Sequence, residues 1–184
     1  QFDKIFMIGV VRMIKELEVK VLNIDTKVIE KKLQDLGATL IKKEYQINTI
    51  FDTEDRIIKN EENGYLRIRE SRDMLEGKIN YIFTLKKNIS KDGLRENIEI
   101  ETKVEDNKAL ERILMYLKLG VKHRGTKDRI SYKYENMRFD IDVWDKETYP
   151  YPYLEIEVEK KEDLDRAITL LDLNPKVSVN SNPR

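Results

Sequence analysis

Polar and apolar positions alternate with a period of two over most of this chain. The run Glu16-Leu17-Glu18-Val19-Lys20-Val21 is the first case. Extended, it sets Glu16, Glu18 and Lys20 on one face and Leu17, Val19 and Val21 on the other. The alternation returns at Gly64-Tyr65-Leu66-Arg67-Ile68-Arg69 and over 78–86, where Thr84 and Lys86 share a face. It returns again after Gly93, with Arg95, Asn97, Glu99 and Glu101 set against Ile98 and Ile100. A hairpin is predicted over 121–135 and 136–144, turning at Glu135-Asn136, with Lys127 and Arg129 on its first arm and Arg138, Asp140 and Asp142 on its second. Near the end, Glu155, Glu157 and Glu159 alternate with Leu154, Ile156 and Val158. With residues 39–53, also strand-like, the count is about eight strands.

Three stretches keep a helical period instead. Asp25 is placed to cap a helix that ends at Gly37, with Val28, Ile29, Leu33 and Leu36 on one stripe. A second covers about 106–119, with Leu110, Ile113, Leu114 and Leu117, and is closed by Gly120. A third covers about 161–172 through Leu164, Ile168 and Leu171. Residues 54–63 read as a loop or a short helical turn, and Tyr149-Pro150-Tyr151-Pro152 reads as a rigid connector. The layout is α+β, with antiparallel hairpins rather than βαβ units. A single domain is expected over 13–184. Residues 1–12, with the apolar run Phe6–Val11, are expected to be an upstream or artificially added leader. Met13 would then be the natural start, which the intact mass of protein made from the native gene checks.

Composition narrows the function classes. The 184 residues suffice for one substantial core. Lys+Arg and Asp+Glu both number 35, so no overall charge argues for nucleic acid. With no cysteine there is no disulfide, thiolate metal site or cysteine nucleophile, and a cytoplasmic location is the default. No apolar run reaches the roughly 20 residues of a membrane span.

The signs of the charges are sorted by strand. Arg67, Arg69, Lys86, Lys127 and Arg129 fall on some strands, and Glu16, Glu18, Asp140, Asp142, Glu155 and Glu157 on others. An ordinary antiparallel sheet turns its charged face to water, with the signs in random order, and that solvated sheet stands beside a lined lumen as the alternative reading of the pattern. Three amphipathic helices also need an apolar surface to cover. Eight strands closing into a barrel let the helices coat the outside and leave the charged faces lining a lumen. Burying each charge costs several kcal/mol unless it is well paired. A polyanion with divalent cations satisfies both sets, since guanidinium forks take phosphate oxygens and carboxylates take the hard metal.

These residues resemble the CYTH superfamily, the triphosphate tunnel metalloenzymes, which include class IV adenylate cyclases and thiamine and inorganic triphosphatases. The resemblance begins at Glu16-Leu17-Glu18-Val19-Lys20. It continues through Leu66–Arg69, Thr84–Lys86, Arg95 with Glu99–Glu101, Lys127–Arg129, Phe139–Asp142 and Tyr153–Glu157, about residues 13–173. It implies an eight-stranded antiparallel closed barrel, the triphosphate tunnel, with helices packed outside. It also implies one or two Mg²⁺ or Mn²⁺ ions. Glu16, Glu18, Glu155 and Glu157 are then metal ligands, completed by Asp142 with Asp140 its neighbour. Lys20, Arg67, Arg69, Lys86, Lys127 and Arg129 hold phosphates, and Glu16, Glu18, Lys20 and Glu157 serve catalysis. The tail Lys176–Arg184 departs from the pattern, lacking a clear segment for the tunnel mouth, and the chain is expected to be truncated there.

The implied activity is metal-dependent hydrolysis of a triphosphate-containing small molecule. The alternatives are an adenylate cyclase making cyclic AMP and pyrophosphate from ATP, and a polyphosphate-binding module without turnover. No nucleic-acid or membrane partner is expected; the resemblance allows a homodimer, for which the residues specify no interface. Glu99 and Glu101 read as salt-bridge partners of the basic strands. His123, the single histidine, reads as structural or exposed, and Trp144 as lining the tunnel mouth or packing there.

Overall fold

The structure, a computed structural model, describes residues 14–89 and 95–173, and the side chains of 14–16, 95 and 96 lie outside the described set. The expected leader, the turn at Gly93 and the tail beyond 173 are outside the described residues as well. The strands are β1 (Ile14–Leu22), β2 (Thr39–Asp52), β3 (Gly64–Asp73), β4 (Ile79–Asn88), β5 (Arg95–Val104), β6 (Gly120–Tyr134), β7 (Met137–Trp144) and β8 (Tyr153–Val158). The helices are α1 (Thr26–Asp35), α2 (Ile57–Asn60), α3 (Asn107–Tyr116) and α4 (Lys161–Leu170). The predicted hairpin turns where expected, and Glu135 takes a positive φ of 54° there.

The eight strands form one curled antiparallel sheet in the order β1-β5-β4-β3-β2-β6-β7-β8. Its hydrogen-bond circuit returns to the start, since β8 pairs with β1 from Leu17–Val158 to Leu22–Tyr153. The walls are unequal. β2 and β6 pair from Thr39–Lys133 to Asp52–Gly120, whereas β1 and β5 pair only from Ile14–Glu99 to Glu18–Arg95. The expectation of a closed barrel is therefore corrected in one respect: the ladder is a circuit, but the enclosure is a half-open curl rather than a sealed cylinder. Two register shifts in the β2–β6 ladder, at Leu40/Lys42 and Ile50/Phe51, are where an extra residue bends a long strand into such a curl.

The apolar strand faces turn outward, under the helices. Val19, Val21, Phe139, Ile141, Leu154, Ile156 and Val158 pack with Ile29 and Leu33 of α1 and with Leu164, Ala167 and Leu171 around α4. Phe51, Leu66 and Ile68 form a second cluster with Leu114 of α3. Stripes and alternation thus meet on one side of the wall, which leaves the charged side facing in. Among the described residues no helix is long and apolar enough to cross a membrane.

Local caps fix the helix starts. Asp25 accepts from the Lys27 and Val28 amides at 3.0 and 3.2 Å, and Gly37 follows the C-cap at φ 83°. Asp106 caps α3 through the Ala109 amide at 2.9 Å. Asp25→Ala is expected to cost about 1 kcal/mol in urea unfolding, the usual loss for an N-cap carboxylate. The short turn α2 hangs on Asp52 at the end of β2, whose carboxylate accepts from the amides of Thr53, Ile58 and Lys59 at 2.8, 3.0 and 3.0 Å.

Candidate active site

The inner face of the curl surrounds a cavity of about 690 Å³. Each strand contributes through its alternate positions. Glu18 and Lys20 come from β1, Gln46 and Asn48 from β2, Arg67 and Arg69 from β3, Lys86 from β4, and Glu99 and Glu101 from β5. Lys127 and Arg129 come from β6, Arg138 and Trp144 from β7, and Glu155 and Glu157 from β8. Most of the sequence-predicted residues are thereby brought together. Glu16 stands in β1 opposite Asn97, with its side chain outside the described residues.

The carboxylates gather on β1 and β8. Glu18 and Glu157 are direct cross-strand partners, as are Lys20 and Glu155. The Glu18 and Glu155 carboxyl groups lie within hydrogen-bonding reach of each other. Two carboxyls that close need a proton or a cation between them. Burial raises Glu155, but Lys20, Arg129 and the Glu18 hydrogen bond outweigh it and hold Glu155 well below the usual carboxylate range. At Glu157 burial wins over Arg138, and its carboxyl is pushed up. Among the described residues no group of three carboxylates or histidines already converges on a common point that would hold a metal. The donor chemistry nevertheless fits a hard divalent cation, since paired, poorly hydrated carboxylates are what such an ion relieves.

The cations are held in two ways. Lys86 bonds Glu18 at 3.1 Å and Glu99 at 2.5 Å. Burial lowers Lys86, yet Tyr65, Glu18 and Glu99 raise it above its ordinary value. Glu99, and Glu101 with its 3.6 Å contact to Arg69 and 2.8 Å bond from Thr84, are the partners of basic strands that the alternation implied. Arg129 is gripped on all sides, by Asp142 at 2.7 and 2.6 Å, Asp140 at 2.6 Å and Glu155 at 2.9 Å. Lys127 donates to Asp142 at 2.9 Å. Burial and the Arg129 guanidinium beside it pull the Lys127 ammonium down to about 7.

Asp142 stands apart from the other expected metal ligands. It is fully buried behind the lining, and both its oxygens are taken by Lys127 and Arg129. Asp140 is likewise spent on Arg129 and Arg138. Both aspartates anchor cations in the wall.

On β3 the cations outnumber their partners. Arg67 carries no ion pair among the described residues and stacks on Tyr65 at 5.3 Å, and the Nε atoms of both Arg67 and Arg69 are buried without a hydrogen-bond partner. Burial, Arg67 and Arg129 bring Arg69 down to about 10. Guanidiniums pressed together and underpaired form a seat for an anion.

One end of the cavity is aromatic. Trp144 lies 5.0 Å from the Lys127 ammonium and donates to the Tyr153 hydroxyl at 2.8 Å, while Lys20 sits 5.0 Å from the Tyr153 ring. Tyr149 packs edge-on against Tyr151 and Tyr153, as expected of a stiff connector. His123 lines the cavity and meets the Thr148 hydroxyl at 3.0 Å, which in turn donates to Asp145. The alternation had not singled out Gln46 and Asn48. Their signal was the polar series Glu44, Gln46, Asn48, weaker because the amides carry no charge.

Comparison with known proteins agrees with this geometry. No curated protein sequence matches the chain. Among solved structures, the PH1012 protein from Pyrococcus horikoshii OT3 superposes with a TM-score of 0.73 at 23% identity, covering 92% of this chain and 95% of that one. A conserved hypothetical protein from Pyrococcus furiosus gives 0.72 at 19%, covering 92% and 96%. An adenylyl cyclase homologue from Hippeastrum, described as having a dominant triphosphatase activity, gives 0.65 at 16%, covering 91% and 92%. At these identities the likeness is one of fold. The CYTH domain model matches residues 15–182, from the strand that carries Glu18 through the last helix and on into the tail. A curled wall with sorted charges inside and helices outside, matched over that span, places the chain in the CYTH domain family.

Proposed function

We propose that the chain is a metal-dependent hydrolase of a triphosphate-containing small molecule held in the cavity. The observation that carries this reading is the pair of underpartnered arginines, Arg67 and Arg69, lining the same cavity as the carboxylates Glu18, Glu155 and Glu157. A triphosphate brings oxygen acceptors for the first set and invites a cation for the second. Arg67, Arg69, Lys86, Lys127 and Lys20 hold the phosphates and offset the charge that develops on the leaving group. Glu18, Glu155 and Glu157, with Glu16, are the residues that would hold Mg²⁺ or Mn²⁺, which when bound supplies Lewis-acid polarisation of a phosphoryl oxygen. Arg129, saturated by Asp140, Asp142 and Glu155, keeps the wall in register and has little left to offer a ligand.

A second reading, adenylate cyclase, is favoured by Trp144 and Tyr153 at one end of the cavity, where a base could stack. One assay separates the two: purified protein with Mg²⁺ or Mn²⁺, scored for phosphate from tripolyphosphate and for cyclic AMP plus pyrophosphate from ATP. Phosphate as the main product is expected. Cyclic AMP as the main product overturns the hydrolase. Tight tripolyphosphate binding with neither product leaves a binding module.

Lys127 gives the ligand step a pH dependence. With its ammonium near 7 in the free protein, a bound polyanion draws a proton onto it. Tripolyphosphate binding at pH 8 is therefore expected to take up protons, and its affinity to weaken by up to about tenfold per pH unit above 7. Calorimetry in buffers of different ionisation enthalpy reads both.

A further inference from the structure

Asn48 is a polar side chain of this cavity that the charge pattern does not explain, and, unlike Gln46, it has both ends of its amide unmet. It lies on β2 among the lining residues, at 1% exposure. Neither its Nδ2 nor its Oδ1 has a hydrogen-bond partner among the described residues. Leaving both ends of a buried amide unmet is costly in a folded protein, and such groups ordinarily find partners. Its neighbours do not supply them. Across β3 it faces Arg69, a donor whose own Nε is equally unmet. Across β6 it faces Gly125, which has no side chain to offer. A Cβ at Gly125 would collide with the Thr148 hydroxyl and His123, and that hydroxyl is already committed to Asp145 and His123.

We propose that Asn48 is a substrate-positioning residue of the triphosphate seat, its Nδ2 donating to a phosphoryl oxygen beside Arg67 and Arg69 and its Oδ1 accepting from the water that attacks that phosphorus. The inference rests on the hydrolase reading given above and assigns a residue to its attacking water. The chemistry of the two atoms divides the roles. An ionised triphosphate carries acceptors only, so it satisfies Nδ2 and the arginine Nε groups but never Oδ1. The remaining acceptor calls for an O–H donor at the same spot, and water is the one hydrolysis requires. In the step itself the water oxygen bonds to the terminal phosphorus as the bridging P–O bond breaks. The diphosphate departs with that electron pair, and the water's proton ends on the released phosphate or in solvent. Asn48 transfers no proton and only fixes where the water stands.

Two near-isosteric variants test this. Asn48→Leu removes both polar atoms, so without ligand it is expected to melt about 2–6 °C higher than the native protein. It should also bind tripolyphosphate at least about tenfold more weakly and release phosphate about 100-fold more slowly. Asn48→Asp keeps the acceptor, loses the donor and gains a charge facing Arg69. Its melting temperature is expected to rise too, and its loss should fall on KM more than on kcat. Native KM and kcat in both variants, whatever their melting temperatures, overturns the inference while leaving the hydrolase standing. A native protein that neither binds nor hydrolyses tripolyphosphate overturns the hydrolase itself, and the role of Asn48 falls with it.

Discussion

Glu18→Gln is expected to lower phosphate release from tripolyphosphate by about 10³-fold, the upper range for removing one group that governs transition-state charge. The substitution keeps the shape and leaves an amide oxygen within reach of Lys86, which also retains Glu99 at 2.5 Å. The new amide's Nε2–H can also donate to Glu155 in place of the carboxyl hydrogen bond. The melting temperature without metal is therefore expected to stay within a few degrees of native. A defect in folding would lose activity and stability together, and this change should separate them. A variant that keeps near-native rates at saturating Mg²⁺ or Mn²⁺ would remove Glu18 from the proposed machinery.

Asp142→Asn carries the largest expected effect on stability, about 3–5 kcal/mol in urea unfolding, the range for breaking a buried ion pair from one side. Asp142 is fully buried with Lys127 and Arg129 on its oxygens. Burial pushes its carboxyl up, but those two cations together hold it below its ordinary value. Arg129 would keep Asp140 and Glu155, so Lys127 is the group left stranded. The lysine is already drawn down to about 7, below the 10.5 of an exposed lysine, and losing Asp142 draws it lower. A buried lysine with a depressed value costs stability wherever it must be charged. Relative to the native protein the loss should therefore grow as pH falls below about 7, where native Lys127 is protonated and the variant's is not yet, and level off below the variant's own lower value. Adding Lys127→Met should recover part of the loss, because an apolar chain has no charge to strand. A loss below about 1 kcal/mol would mean that Asp142 is not the anchor its bonds imply.

Much of the fold was legible because its two periods are clean. Alternation gave the strands and the side each charge takes, and Asp25, Gly37 and Gly120 punctuated the helices. Alternation, however, gives a face and not a depth. Asp142 and Glu155 have the same inward pattern in the sequence. In the structure Asp142 pairs with Tyr153 across the β7–β8 ladder and is covered by Arg129, while Glu155 reaches the cavity. That difference depends on which long side chain lies over which short one. Asn48 was missed for another reason: an amide among Glu44, Gln46 and Ile50 leaves no charge signature, and its meaning appears only when its unmet atoms are set beside Arg69. The turn α2 was legible merely as a polar interval, because its stability comes from a carboxylate on the preceding strand.

The seam between β1 and β8 bears on how the protein is made. It joins Ile14–Leu22 to Tyr153–Val158, so β1 waits until β8 has been synthesised before both its edges are covered. Until then its Leu17, Val19 and Val21 side remains without its α4 cover, and its backbone offers an open edge to other chains. Closing so long a loop is slow compared with forming the hairpins between, which makes docking of β1 the expected late step of folding. Chains caught before that step are the ones most prone to pair with one another.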